Sequence, residues 1–129
     1  MIYVRIAKPS EFDQAKEFMQ SLFPDAYIDM AEDDLLLLAE VEGKTVGFAH
    51  LSDEGERLIF RGLGVSDAMR GRGIGTTLME RMVEMLQDAY RPIYLKVKML
   101  NPAIDLYSRF GFTLKKFGDP HIMVKRPNN

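Results

Sequence analysis

The stretch from Arg70 to Thr76 constrains the fold of this chain more than any other segment. It reads Arg-Gly-Arg-Gly-Ile-Gly-Thr, so glycine occupies every second position and two arginines flank the first glycine. A strand is predicted before it, over Arg57 to Val65, and an amphipathic helix is predicted over Gly71 to Gln87. The order of strand, glycine-rich loop and helix start is typical of loops that bind phosphate groups. The first helical N–H groups are unpaired and carry partial positive charge, and an anion satisfies both.

Each residue type in this loop has a physical role toward an anion. The three glycines remove side chains that would keep a pyrophosphate away from the backbone amides. The two arginines add fixed positive charge and forked hydrogen-bond donors. A glycine-rich turn that only starts a helix is the alternative interpretation. The residues that we predict to bind the anion are Arg70, Gly71, Arg72, Gly73, Ile74, Gly75 and Thr76.

Three known phosphate-loop patterns can be compared with this stretch. The dinucleotide-binding pattern starting at Gly71 requires glycine at position 76, where this chain has Thr76. The P-loop pattern requires a lysine that the stretch lacks. The third pattern, Arg/Gln-x-x-Gly-x-Gly/Ala, is matched in full by residues 70–75. Here the sequence resembles the GNAT superfamily of N-acetyltransferases, in which this loop binds the pyrophosphate of coenzyme A.

The strand that leads into the loop ends in Leu63-Gly64-Val65. The resemblance implies that the backbone of these residues binds the pantetheine and acetyl groups of acetyl-CoA as a neighbouring strand would. It also implies that one backbone N–H points at the thioester oxygen. Glycine within a strand is typical of a bulge or of close backbone approach to a ligand, and Gly62 and Gly64 both occur here. An ordinary buried strand end is the alternative.

A second segment, from Asn101 to Phe112, resembles the other signature of the family, Asn…Ala…Tyr…Gly-Phe. The resemblance implies that Asn101 contacts the pantetheine arm, with capping of the following helix as the alternative. It implies that Tyr107 is a general acid that protonates the departing thiolate. A packed tyrosine with its hydroxyl in water is the alternative for that residue. Gly111 is predicted to end the helix, and Phe112 to enter the core.

Acetyl transfer also needs a base, because the acceptor amine must lose a proton before it attacks the thioester. Many members of the family carry a glutamate on the strand before the loop, but residues 58–62 contain no carboxylate. The base is therefore left open between a side chain and a water that relays the proton to solvent. The side-chain candidates are His50, Glu54, Glu56 and, less favoured, His121, and each is also explained as a solvated turn or strand residue.

A cluster of five carboxylates lies in the connector from Asp25 to Asp34. In the family this region often borders the acceptor site, so the cluster favours a cationic amine as acceptor. The alternative interpretation of the cluster is an acidic loop that is simply exposed to solvent.

The order of predicted elements indicates the fold class. Strand, helix and connector are followed by three strands, then helix, strand, helix and two strands, which describes an α/β domain. The strand-helix-strand unit from Arg57 to Val97 must be a parallel, right-handed crossover if its two strands share a sheet. With the resemblance, this predicts a GNAT fold with a mixed, twisted sheet of about six or seven strands, helices on both faces, and a single domain over residues 1–129. Ser10 is the expected N-cap of the first helix, and the connector has room for a short helix.

Composition removes several other classes of function. The chain has no cysteine, which excludes disulfides, thiolate metal sites and a cysteine-bound acetyl intermediate. Its formal net charge of -2 lacks the basic excess of a nucleic-acid binder. The longest apolar run, Leu35 to Ala39, is too short to span a bilayer, and residues 1–10 lack a signal-peptide pattern. We therefore expect a cytoplasmic protein that has no metal site and binds neither nucleic acid nor membrane.

Together these features predict an N-acetyltransferase that moves an acetyl group from acetyl-CoA to a primary amine of a small molecule or a peptide. Direct transfer in a ternary complex is expected, because no cysteine can carry the acetyl group. A non-catalytic acyl-CoA-binding or sensory module and transfer of a longer acyl group are the alternatives. The acceptor is not specified by the sequence, and a homodimer is left open as the assembly.

Overall fold

A seven-stranded mixed sheet organises residues 1–127, which are the residues that this computed structural model describes. Three helices and two short 3-10 helices, Pro9–Glu11 and Asp67–Met69, connect the strands. The helices are α1 (Phe12–Leu22), α2 (Ile74–Leu86) and α3 (Ala103–Arg109). The strands are β1 (Tyr3–Ile6), β2 (Leu35–Val41), β3 (Lys44–Asp53), β4 (Leu58–Val65), β5 (Ile93–Val97), β6 (Thr113–Lys116) and β7 (His121–Lys125).

The strands lie side by side in the order β1-β2-β3-β4-β5-β7-β6. Neighbours pair antiparallel except β4 and β5, which run parallel and are joined through α2. A parallel pair needs such a crossover because a short turn cannot return the chain to the starting edge. The predicted parallel crossover and the mixed sheet of six or seven strands are confirmed.

Helices cover both faces of the sheet, as expected. Alternate residues of β2 point to opposite faces, and they fall into two separate apolar clusters. Leu36 and Leu38 pack with Phe48 against α1. Leu37 and Ala39 pack in the larger cluster that contains the buried side of α2.

The β2–β3 hairpin follows from its turn residues. Glu42 and Gly43 both have positive φ, 52° and 79°, and the strands pair directly across this two-residue turn from Val41 to Lys44. Such a turn matches the right-handed twist of the two strands. The hairpin prediction is confirmed, with a returning strand that extends two residues further than expected, to Asp53.

Both predicted starts of the long helices are wrong. Ser10 lies inside a 3-10 turn rather than capping α1, because the Glu11 carboxylate accepts the backbone N–H of Lys8, at 2.8 Å, and starts the turn there. α1 then begins at Phe12 without a side-chain cap. The helix predicted from Gly71 begins at Ile74 instead, because Gly71 and Gly73 both have φ of 79°, outside the helical region.

Two other predictions concern the connector and the membrane. Residues 25–34 contain turns but no helix, so the short helix considered there is absent. Over residues 1–127, no helix combines the length and the apolar character that crossing a bilayer requires.

Candidate active site

β4 and β5 separate part of the way along their length. Only three residue pairs join them, the last being Phe60 with Leu95. Beyond this point β4 pairs only with β3, and β5 pairs only with β7. The edge of residues 61–65 that faces the opening therefore has no partner strand, and its backbone groups are available to another molecule.

A β-bulge lies where the two strands begin to separate. Leu51 pairs with Phe60, but His50 pairs with Gly62, so Arg61 is the extra residue of β4. The Arg61 guanidinium donates to the Ser52 hydroxyl at 3.1 Å and to the Glu54 carboxylate at 2.9 Å. Bulges re-aim side chains next to functional sites, and this one directs the Arg61 guanidinium toward the end of β3.

The opening is continuous with a cleft of about 470 Å³ that passes from the α1 side of the sheet to α3. Its walls come from the end of α1, the connector, β3, β4, β5 and α3. Of the predicted site residues, Leu63, Asn101 and Tyr107 line this cleft. The predicted pantetheine segment and the predicted general acid thus share one cavity.

Tyr107 is buried and fixed by two aromatic neighbours. Its ring lies edge-on to Phe60 and Phe112, with centroid distances of 5.7 and 6.0 Å. Burial raises the pKa of the Tyr107 phenol to about 12, because the anion would lose its hydration. The phenol is therefore protonated at neutral pH, which is the form that a general acid requires.

Asn101 caps α3 in the structure. Its side-chain oxygen accepts the backbone N–H of Ala103 at 2.9 Å. The capping alternative is thus realised, yet it uses only the oxygen. The amide nitrogen has two donors and makes no hydrogen bond within residues 1–127, so a cleft ligand can still accept from it.

In the strand segment 63–65, Leu63 borders the cleft and Gly64 is tightly packed. The Leu63 side chain lines the cleft and also reaches the first turn of α2, where its Cδ2 lies 3.9 Å from the position of a Cβ on Gly75. Gly64 is buried beneath two rings. A Cβ on it would lie 2.6 Å from Phe48 and 2.8 Å from Phe23. Packing therefore explains the glycine at 64, a reason that the sequence did not reveal.

The loop before α2 presents its backbone to open space. Gly71 and Gly73 both have φ of 79°, and a Cβ on either would meet no atom within 4 Å. The Thr77 N–H, at 2.9 Å from the carbonyl of Gly73, makes the first bond of α2. Residues 74–76 precede this bond, so their N–H groups have no partner in the helix. The first turn of α2 holds no acidic residue. These features fit an anion.

The two arginines of the loop differ in their surroundings. Arg70 forms an exposed ion pair with Asp67 at 3.1 Å, and its Nε lies 3.4 Å from the carbonyl of Val65. Arg72 is exposed and forms no ion pair within residues 1–127. Both cations remain at the surface beside the unpaired amides, where either can reach a phosphate.

The candidate bases have different surroundings in the structure. His50 lines the cleft, is buried, and lies 2.7 Å from the Asp34 carboxylate. Glu54 is ion-paired with Arg61 and Arg57 instead, at 2.9 and 3.7 Å. Glu56 is exposed in the turn after β3. His121 accepts the N–H of Gly118 at 3.0 Å and does not line the cleft.

The five connector carboxylates do not form one group. Asp34 is buried against His50, which the sequence analysis did not foresee. The other four, Asp25, Asp29, Glu32 and Asp33, are exposed. A second hollow, of about 390 Å³, lies beside the cleft and shares Asp29 and Arg61 with it. Its other acidic residues are Asp33, Asp34, Asp53 and Glu54.

Arg61 borders both the cleft and the acidic hollow, and it was not among the site residues predicted from the sequence. An arginine between apolar residues in a buried strand is the signal that could have indicated it. The cleft also contains Lys96 and Lys98 opposite Asp29, so its own charge is mixed.

Known proteins resemble this chain in sequence and in structure. A curated N-alpha-acetyltransferase of Sulfolobus acidocaldarius is 25% identical over an alignment of 131 positions, gaps included, that covers 84% of this chain and 78% of that protein. The ribosomal-protein-S18-alanine N-acetyltransferase of Escherichia coli has a similar fold, with a TM-score of 0.84 and 18% identity over 100% of this chain and 96% of that one.

A third relative has been solved with a bound ligand. Naa50 of Arabidopsis thaliana, in complex with the bisubstrate analogue CoA-Ac-MVNAL, is 26% identical with a TM-score of 0.79, covering 96% of this chain and 97% of that one. A family model described as the acetyltransferase (GNAT) family matches residues 3–112, which include the β4–β5 opening, the loop before α2 and Tyr107. This chain therefore belongs to the GNAT family of acetyltransferases, and it has the fold of that family.

Proposed function

We propose that this protein transfers an acetyl group from acetyl-CoA to a primary amine, directly, in a ternary complex. One observation carries the proposal. A single cleft contains a protonated tyrosine, Tyr107, and the unpaired edge of β4, and it adjoins the unpaired amides at the start of α2 through Leu63. Acetyl-CoA has a thioester, a long polar arm and a pyrophosphate in the same order, so each part can lie against one of these three features.

The residues that would hold the cofactor follow from the same geometry. The N–H groups of residues 74–76 and the side chains of Arg70 and Arg72 would bind the pyrophosphate. Gly71 and Gly73 would keep the approach to these donors open, because a side chain at either would project into open space before the helix. The backbone of residues 63–65 would bind the pantetheine arm, with one N–H toward the thioester oxygen, and the amide nitrogen of Asn101 would add a donor.

Tyr107 would act on the leaving group. Bound acetyl-CoA supplies an activated acetyl group, and the sulfur needs a proton when the C–S bond breaks. The raised pKa of Tyr107 keeps a proton on the phenol for this step. Direct transfer is supported by the absence of cysteine, since no thiol can carry the acetyl group between the two substrates.

The acceptor would enter from the α1 side, along the acidic hollow. The relatives named above are N-alpha-acetyltransferases or bind a peptide-bearing analogue, so the α-amine of a peptide is the first class to test. The hollow adds a preference for acceptors with further positive charge, because its carboxylates would attract them.

An amine screen tests this function against the alternative of a non-catalytic acyl-CoA-binding module. Release of free coenzyme A is followed with acetyl-CoA and, in turn, the peptide Met-Val-Asn-Ala-Leu, spermidine, a neutral primary amine and an amino acid. We expect release of coenzyme A from acetyl-CoA that depends on the amine. Binding of acetyl-CoA without amine-dependent release would overturn the enzyme and support the binding module.

A further inference from the structure

His50 and Asp34 form a buried hydrogen-bonded pair at the wall of the cleft. The Nε2 atom of His50 lies 2.7 Å from Oδ2 of Asp34, and the two side chains are only 4% and 5% exposed. Removing a carboxylate and an imidazole from water is costly unless the pair is well formed or serves a purpose. The two residues are 16 positions apart, so the fold of the connector against β3 creates the contact.

His50 and Tyr107 face the cleft from opposite sides of the sheet. His50 is two residues after Phe48 on β3, so both side chains lie on the α1 face. Tyr107 belongs to the cluster on the other face, yet both side chains line the same cleft. The β4 partner of His50 is Gly62, which has no side chain to cover the imidazole from the neighbouring strand.

The two nitrogens of the imidazole have different surroundings: Nε2 contacts Asp34, and Nδ1 does not. Nδ1 makes no hydrogen bond within residues 1–127, and no side-chain nitrogen or oxygen there is both fully buried and unpaired. Nδ1 therefore has access to the cleft. The Asp34 carboxylate can only accept, so it holds a proton on Nε2 and leaves the lone pair on Nδ1.

We propose that the Asp34–His50 pair is the general base for the acceptor amine. The inference rests on the proposed acetyl transfer. In it, His50 takes the role of the carboxylate that β4 lacks. His50 is the catalytic residue, and Asp34 is a positioning residue that fixes the tautomer and stabilises the imidazolium.

The ammonium of the acceptor loses one proton to Nδ1 of His50, and the freed lone pair forms the C–N bond to the acetyl carbon. The C–S bond breaks, its electron pair stays on sulfur, and sulfur takes the phenol proton of Tyr107. The second nitrogen proton passes through water back to the Tyr107 oxygen. His50 then releases its proton to solvent, so one proton is released for each acetyl group transferred.

Other charged groups share the cleft with His50. Asp29 lies in the connector, Arg61 on β4, and Lys96 and Lys98 on β5 and in the loop after it. Asp34 is the carboxylate that contacts the imidazole. A protonated imidazole has no lone pair to accept the proton of the ammonium, so His50 acts in its neutral form.

Three variants test the pair. His50→Gln removes the base, Asp34→Asn keeps the ring but removes the carboxylate, and His121→Gln is the matched control at the one other histidine of the chain. The acceptor is whichever of Met-Val-Asn-Ala-Leu and spermidine releases coenzyme A faster with the wild-type protein. Melting temperature with and without acetyl-CoA is measured on every variant, so that folding and cofactor binding are known independently.

We expect His50→Gln to lower kcat at neutral pH on the order of 10²-fold, with the melting shift by acetyl-CoA retained. The deficit should shrink as pH rises, because the free amine becomes abundant without a base; a peptide α-amine has a pKa of about 8. Asp34→Asn should lower kcat less, since its imidazole remains. His121→Gln should match the wild type.

A His50→Gln protein as fast as the wild type at every pH, or slower by one constant factor at every pH, overturns the assignment. If His50→Gln does not melt cooperatively, Asp34→Asn decides, and wild-type kcat in that variant overturns the pair. These outcomes differ from failure of the proposed function, in which the wild-type protein binds acetyl-CoA and releases no coenzyme A with any amine.

Discussion

The Phe48 ring occupies the space that a side chain on Gly64 would need. The two residues pair across β3 and β4, and a Cβ on residue 64 would lie 2.6 Å from Cε1 of Phe48. The ring is buried and is also in edge contact with Phe18 and Phe23, so it has little freedom to move. Because residue 64 has no side chain, β4 can pack closely beneath these rings where it borders the cleft.

Gly64→Ala should therefore destabilise the protein by about 1 to 3 kcal/mol, the usual cost of overpacking a core. Gly62→Ala is the matched control on the same strand. Its Cβ would lie 3.5 Å from the same ring, an ordinary contact, so we expect a much smaller change. Urea unfolding measures both. Equal losses of stability in the two variants would contradict the packing argument.

Gly73→Glu should abolish the rise in melting temperature that acetyl-CoA produces, because a carboxylate beside the first turn of α2 would repel the pyrophosphate. The control is Gly43→Glu. Gly43 has the same φ of 79° and the same open surroundings, but it lies in the β2–β3 turn. Both variants carry the same backbone strain, so only the position differs. A full melting shift in folded Gly73→Glu would place the cofactor elsewhere.

Tyr107→Phe should lower kcat on the order of 10²-fold or more while the protein still binds acetyl-CoA. The ring and its contacts with Phe60 and Phe112 are retained, so the variant removes only the proton donor. Stopped-flow release of coenzyme A under saturating substrates gives kcat directly. A rate equal to the wild type across the pH range would make Tyr107 a packing residue.

The same substitution should change alkaline stability. The folded pKa of Tyr107 is raised to about 12, above the unfolded value of about 10. The neutral phenol thus contributes stability that is present below about pH 10 and is lost as pH rises through about 12. Tyr107→Phe should lose less stability than the wild type between these values. Tyr3→Phe, at an exposed tyrosine, should follow the wild type in urea titrations at each pH.

The acidic hollow should govern the response of charged acceptors to salt. Replacing Asp29 and Asp33 together by Asn should lower kcat/KM for spermidine and weaken its decrease with rising salt, because screening acts over about 10 Å at 0.1 M ionic strength. Glu32→Gln is the control, since Glu32 is exposed in the same connector but does not line the hollow. An unchanged salt response in the double variant would leave the connector a solvated loop.

Local patterns in the sequence predicted most of the framework. The strand Leu35–Val41 and the strand His121–Lys125 have the predicted limits, because apolar runs between turn residues define them. The glycine-rich loop and Tyr107 were predicted from motifs, and the structure places Leu63, Asn101 and Tyr107 in one cleft. The helix starts were wrong, because a glutamate and two left-handed glycines determine them through geometry that residue type alone does not reveal.

The features that the sequence did not predict depend on contacts between residues far apart in the chain. His50 appeared as one of several candidate bases, and Asp34 as one of five connector acids, but their contact depends on how the connector folds against β3. The bulge at Arg61 depends on the register between β3 and β4, which no pattern within either strand encodes. The role of Gly64 depends on a ring 16 residues earlier in the chain.

The short seam between β4 and β5 divides the hydrogen bonding of the sheet into two antiparallel blocks, β1 to β4 on one side and β5, β7 and β6 on the other, with three residue pairs between them and a shared apolar core on the α2 face. A ligand that binds in the opening lies against both blocks and acts as a removable crosslink between them. Amide hydrogen exchange along residues 61–65 would then report directly whether the opening is occupied.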